Sequence, residues 1–99
     1  MNREQITQIL LQRADALKAN GATSLYMFGS RARGDNKFNS DLDLFIDYDA
    51  SKKIPNYFKL IGIQLEIENE TGFPVDLGTR DSLDPIVRPF VDRDAIKIF

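Results

Sequence analysis

Residues 25 to 47 read Leu25-Tyr26-Met27-Phe28-Gly29-Ser30-Arg31-Ala32-Arg33-Gly34-Asp35-Asn36-Lys37-Phe38-Asn39-Ser40-Asp41-Leu42-Asp43-Leu44-Phe45-Ile46-Asp47. The apolar run Leu25 to Phe28 is too short for a core helix and is closed by Gly29, so it reads as a buried strand. Residues 29 to 40 are polar and cationic, opened by Gly29 and punctuated by Gly34 and Asn39, which predicts a loop. From Asp41 apolar and acidic residues alternate and then run through Phe45 and Ile46 to Asp47, predicting a second strand. Strand residues separated by one share a side, so Asp41 and Asp43 project together while Leu42 and Leu44 face the other way. Two like charges on one site cost stability unless a cation neutralises them, and oxygen ligands without His or Cys favour Mg2+ or Mn2+. A strand with one solvated face is the competing reading of this pattern.

The flanks extend the fold in both directions. Upstream, Ile6, Ile9, Leu10, Ala14 and Leu17 recur at helical spacing, predicting one helix over Asn2 to Asn20, with Asn2 and Gln5 as its capping pair and Gly21 as its stop. Downstream, Ser51 to Pro55 connects to a second helix that ends near Thr71 and Gly72. Its expected core stripe is Ile54, Phe58, Ile61 and Leu65, yet Leu60, Ile63 and Ile67 project on roughly the opposite side at about 100° per residue. The second face is expected to be covered by Leu83 to Phe99 or by a protein partner. Pro74 to Leu77 reads as a third strand, with Val75 and Leu77 facing the core and Asp76 opposite. Leu83 to Asp92 is expected to be a short helix interrupted around Pro85 and Pro89, and Ile96 to Phe99 a terminal strand.

With 99 residues the chain is expected to be a single domain, 1–99, and its 42% apolar and 28% charged content is that of a soluble globular protein rather than a disordered one. Zero Cys and zero His exclude disulfides, Cys- or His-based zinc sites and His-dependent triads. A net charge of -2 argues against direct nucleic-acid binding through many phosphate contacts. No stretch approaches 18 apolar residues and the start lacks the order of a signal peptide, so no membrane association is expected and the cytoplasm is the default.

The strand running into Gly29-Ser30 and then Arg31 and Arg33 is the arrangement expected where a backbone turn offers N–H groups to phosphate. The two arginines supply charge to the same oxygens or pair internally with Asp35 or Asp41. Asp76 is positioned to join the acidic pair, and three carboxylates with triphosphate oxygens provide enough ligands for two metal ions.

Gly29-Ser30, ten further residues and Asp41-Leu42-Asp43, with Ala32-Arg33-Gly34 in the gap and Asp76 later, resembles the minimal nucleotidyltransferase family of the DNA polymerase beta superfamily. The likeness extends over nearly the whole chain. It implies an α/β fold, a small mixed β-sheet flanked by helices. It also implies Ser30 at the triphosphate, beside Gly29, Arg31 and Arg33 read above as nucleotide-binding, with Asp41 and Asp43 on Mg2+ and Asp76 as third ligand or general base. ATP is the implied substrate. Minimal members typically are antitoxins of a HEPN-domain toxin and transfer AMP to a toxin tyrosine. The alternatives are an antitoxin acting by contact alone and a transferase for a small-molecule hydroxyl.

Overall fold

The strands flanking the cationic loop form the centre of the computed structural model, which describes residues 1–99. β1 (Ala22–Phe28) and β2 (Leu42–Tyr48) pair antiparallel, with Phe28 opposite Asp43. β3 (Val75–Thr79) joins β2 in parallel and sets Asp76 beside Asp43. β4 (Ile96–Lys97) returns antiparallel onto the other edge of β1, giving a mixed sheet of order β3-β2-β1-β4. Ile98 continues the contact, its N–H donating to the Leu25 carbonyl at 2.7 Å. The period of two then sorts the side chains: Leu25, Met27, Leu42, Leu44, Ile46, Val75 and Leu77 are buried on one face, and the acids stand on the other.

The expected first helix is two helices, α1 (Arg3–Leu11) and α2 (Ala14–Ala19). The Asn2 side chain accepts from the Gln5 N–H and the Gln5 side chain accepts from that of Asn2, the capping box read from the sequence. The break at Gln12 and Arg13 lets both Leu10 and Leu17 reach the core. Arg13, standing in the break, pairs with Glu66 at 3.1 Å and with Glu70. After β1 comes a single helical turn, α3 (Ser30–Arg33).

The next helix, α4 (Tyr57–Thr71), is capped by Asn56, whose side chain accepts from the Phe58 and Lys59 N–H groups. It packs the reverse of the expected way. Leu60, Ile63 and Ile67 are buried against the sheet, whereas Phe58 is 85% exposed and Ile54, Ile61 and Leu65 are exposed with it. Polar flanks choose between the two apolar faces. Gln64 and Glu68 accept from the Leu77 and Val75 N–H groups of β3 on one side of the helix, and Glu66 and Glu70 meet Arg13 on the other. Only the face with Leu60, Ile63 and Ile67 satisfies both sets. The segment from Leu83 onward leaves the exposed stripe uncovered.

That segment crosses instead to the acidic face of the sheet. A 3-10 turn spans Arg80–Ser82, and the expected helix starts late, as α5 (Arg88–Asp94), with Pro89 in its first turn where its missing N–H is no loss. Arg80 holds α5 down: it pairs with Asp47 of β2 at 2.6 Å and with Asp92 of α5. Its guanidinium covers the buried Phe45 ring at 4.6 Å, and Tyr26 stacks on that ring at 5.0 Å. No helix is long and apolar enough to cross a membrane.

Candidate active site

Gly29 ends β1 with φ 76° and ψ -158°, a conformation open essentially to glycine alone. The chain then turns into α3 and leaves it through Gly34 in the left-handed region. The N–H groups of the first turn of such a helix have no partner within it. They sit next to Asp43, because a Cβ placed on Gly29 would overlap the Asp43 carboxylate. Glycine is therefore required twice at this position, by the backbone angle and by the approach of the acid.

Asp43 and Asp76 are direct neighbours across β2 and β3. Asp41 lies just before β2, which begins at Leu42 rather than at Asp41, and is exposed. The Leu42 N–H donates to the Pro74 carbonyl at 2.8 Å, which fixes the entry of β2 against that of β3. Partial burial, then the charge of Asp76, then that of Asp41 push the Asp43 carboxyl above the ordinary carboxylate range, and Arg33 opposes them. No three acidic side chains close into a cage that grips a cation unaided. The donor set nonetheless fits Mg2+: hard oxygens, one of them with proton affinity raised by burial and by its negative neighbours, open to further oxygens from a bound ligand.

The four residues expected at the nucleotide separate into two groups. Gly29, Ser30 and Arg33 line the region beside Asp43, with Arg33 half-exposed and paired to Asp35 at 3.1 Å. Arg31 stands apart from the other three. It is buried, donates from Nε and Nη2 to the Ser40 carbonyl at 3.1 and 2.8 Å and from Nη2 to the Phe38 carbonyl at 3.3 Å, and lies over the Phe73 ring at 3.7 Å. Those donors hold the loop in place just before Asp41. Charge and spacing look alike for the two arginines. Only Arg31, however, is buried together with Ala32 on the inner side of the turn, while Arg33 points out.

Arg80 escaped the sequence reading, although a signal was there. Asp76, Gly78 and Arg80 continue the period of two, which puts Arg80 on the acidic face of the sheet. The resulting arrangement can hold a polyphosphate at the Gly29 turn and a divalent cation on the adjoining acids. A hydroxyl approaching from the β3 side would meet Asp76.

Residues 5–98 match the nucleotidyltransferase domain family. The chain is 30% identical over 96 residues to the protein adenylyltransferase MntA of Thermococcus cleftensis, covering 96% of this chain and 94% of that protein. A solved structure assigned as a minimal nucleotidyltransferase superposes with a TM-score of 0.71 at 29% identity, over 97% of this chain and 95% of the other. A crystal structure of a toxin-antitoxin with AMP-PNP shares the fold, with a TM-score of 0.74 at 17% identity over 94% of this chain and 72% of that one.

Proposed function

The chain belongs to the nucleotidyltransferase domain family as one of its minimal members, and from that membership we propose that it is a Mg2+-dependent protein adenylyltransferase moving AMP from ATP to a tyrosine hydroxyl of a HEPN-type toxin. The observation that carries this reading is the pair Asp43 and Asp76, in register beside the turn at Gly29. The adenylyltransferase name of the Thermococcus relative and the AMP-PNP in the toxin-antitoxin structure support the nucleotide and the class of acceptor.

In this reading the N–H groups of the turn and the Ser30 hydroxyl hold the β and γ phosphates, and Arg33 adds charge at the same oxygens. Asp41, Asp43 and Asp76 are the residues that would hold Mg2+, which when bound neutralises the acids and polarises the α phosphate. A tyrosine hydroxyl with a pKa near 10 is protonated at neutral pH, and Asp76 accepts its proton as the phenolic oxygen attacks. The new bond joins that oxygen to the α phosphorus. The bond from the α phosphorus to the bridging oxygen breaks, and pyrophosphate leaves toward Ser30 and Arg33.

Incubation with Mg2+, ATP labelled on the α phosphate and the protein encoded by the adjacent gene should label that protein, read by intact mass, and Asp43→Asn should abolish the label. A toxin neutralised equally by parent and Asp43→Asn with no mass increase would instead establish neutralisation by contact.

A further inference from the structure

A groove of about 410 Å³ runs between α5 and the turn after β1, with Phe28, Gly29 and Arg33 on one wall and Val87, Phe90 and Val91 on the other. Its size lies within the range of small-molecule sites. Its walls are largely apolar although it opens beside the acids. The α5 side is unusual in its own right: no residue of α5 is buried, yet Phe90 stands at the groove 58% exposed. Within the monomer the ring meets the Arg93 guanidinium at 5.6 Å and is otherwise largely open. The wall is nevertheless held in place, since Arg80 ties Asp92 of α5 to Asp47 of β2, and Arg88 donates to the Leu83 and Asp81 carbonyls at 3.1 and 2.9 Å.

The position of the groove across the sheet narrows what enters it. Phe28 pairs with Asp43 from the β1 side, and Asp76 pairs with Asp43 from the β3 side. The groove and Asp76 are therefore on opposite flanks of Asp43. A hydroxyl that gives its proton to Asp76 approaches from β3, so the pyrophosphate, leaving in line with the attack, departs toward the β1 flank and the Gly29 turn. The 5′ oxygen joins the α phosphorus across that axis, so the nucleoside projects over the acidic face of the sheet, where α5 walls the groove next to the turn.

We propose that this groove is the nucleoside subsite, with the base of the nucleoside triphosphate stacked on Phe90; the assignment rests on the nucleotidyl-transfer reading above. A flat π face is the chemistry that an exposed aromatic in an apolar slot takes, and stacking tolerates every base. Phe90 supplies affinity for the nucleoside and none for the phosphates.

Calorimetric titration with Mg-ATP and with magnesium tripolyphosphate tests this on the parent, Phe90→Ala and Phe90→Tyr. Phe90→Ala should bind Mg-ATP about 5- to 100-fold more weakly, the range for one lost base stack, while binding tripolyphosphate within about twofold of the parent. Phe90→Tyr should restore ATP affinity. Unchanged ATP affinity in Phe90→Ala overturns the subsite, and if transfer to a protein is then lost the groove belongs to the acceptor. Equal weakening for both ligands overturns it as well, since that marks a distorted turn. A parent that binds neither ligand overturns the transferase reading itself.

Discussion

Replacing Gly29 by alanine imposes two separable costs whose sizes follow from the geometry. The backbone at φ 76° and ψ -158° lies in a region that side chains avoid, at about 1–3 kcal/mol. The new Cβ would also overlap the terminal oxygen of Asp43 and come within 3.3 Å of its Cγ. The carboxylate must swing off its rotamer to relieve this, for a further 0.5–1.5 kcal/mol or so. The sum, about 1.5–4.5 kcal/mol, should lower the melting temperature by roughly 6 to 36 °C in a domain of this size. Thermal melts of the parent, Gly29→Ala, Asp43→Ala and the double variant separate the two contributions. In the Asp43→Ala background only the backbone cost remains, so the alanine should cost about 1 kcal/mol less there. A loss below about 0.5 kcal/mol in the parent refutes the glycine requirement. An equal loss in both backgrounds refutes the contact with the acid.

Because burial and its acidic neighbours raise the Asp43 carboxyl, its protonated form is favoured by folding, and that contribution is lost as pH rises through the raised value. In chelator, Asp43→Asn should therefore gain stability relative to the parent as pH climbs from about 4 to 7, and Mg2+ should narrow the gap; a gap independent of pH refutes this reading. On α4, Leu60→Ala or Ile63→Ala should cost about 2–5 kcal/mol in denaturant titrations, whereas Phe58→Ser should stay within about 0.5 kcal/mol. The opposite order would return the core to the Phe58 face. Arg31→Met should lose about 1.5–3 kcal/mol of stability, and lysine, lacking the planar fork, should not restore it. A stable Arg31→Met that has lost tripolyphosphate binding would return that guanidinium to the nucleotide.

Features set by local chemistry were legible before the structure. The alternation at Asp41 to Leu44 fixed which residues of β2 turn inward, Gly29 marked the turn, and Asn2 with Gln5 marked the first helix start. Features set by choices between equivalent surfaces were not. α4 is apolar on two sides, and periodicity weighs them equally; Gln64 and Glu68 reaching the β3 backbone, with Arg13 reaching the other flank, decide the matter only once the chain is folded. The two arginines of the loop were indistinguishable for the same reason. The groove needed more still, because its walls come from residues near 28 and near 90, brought together by β4 returning to β1 and by the Arg80 clamp.

The uncovered stripe of α4 lies behind the sheet, while Asp43 and Asp76 face forward. A helix is about 10 Å across, so helix and sheet together form a wall that no side chain spans. A hydroxyl of any protein seated on Ile54, Phe58, Ile61 and Leu65 would therefore reach the acids of the same copy only by passing around an edge of the sheet.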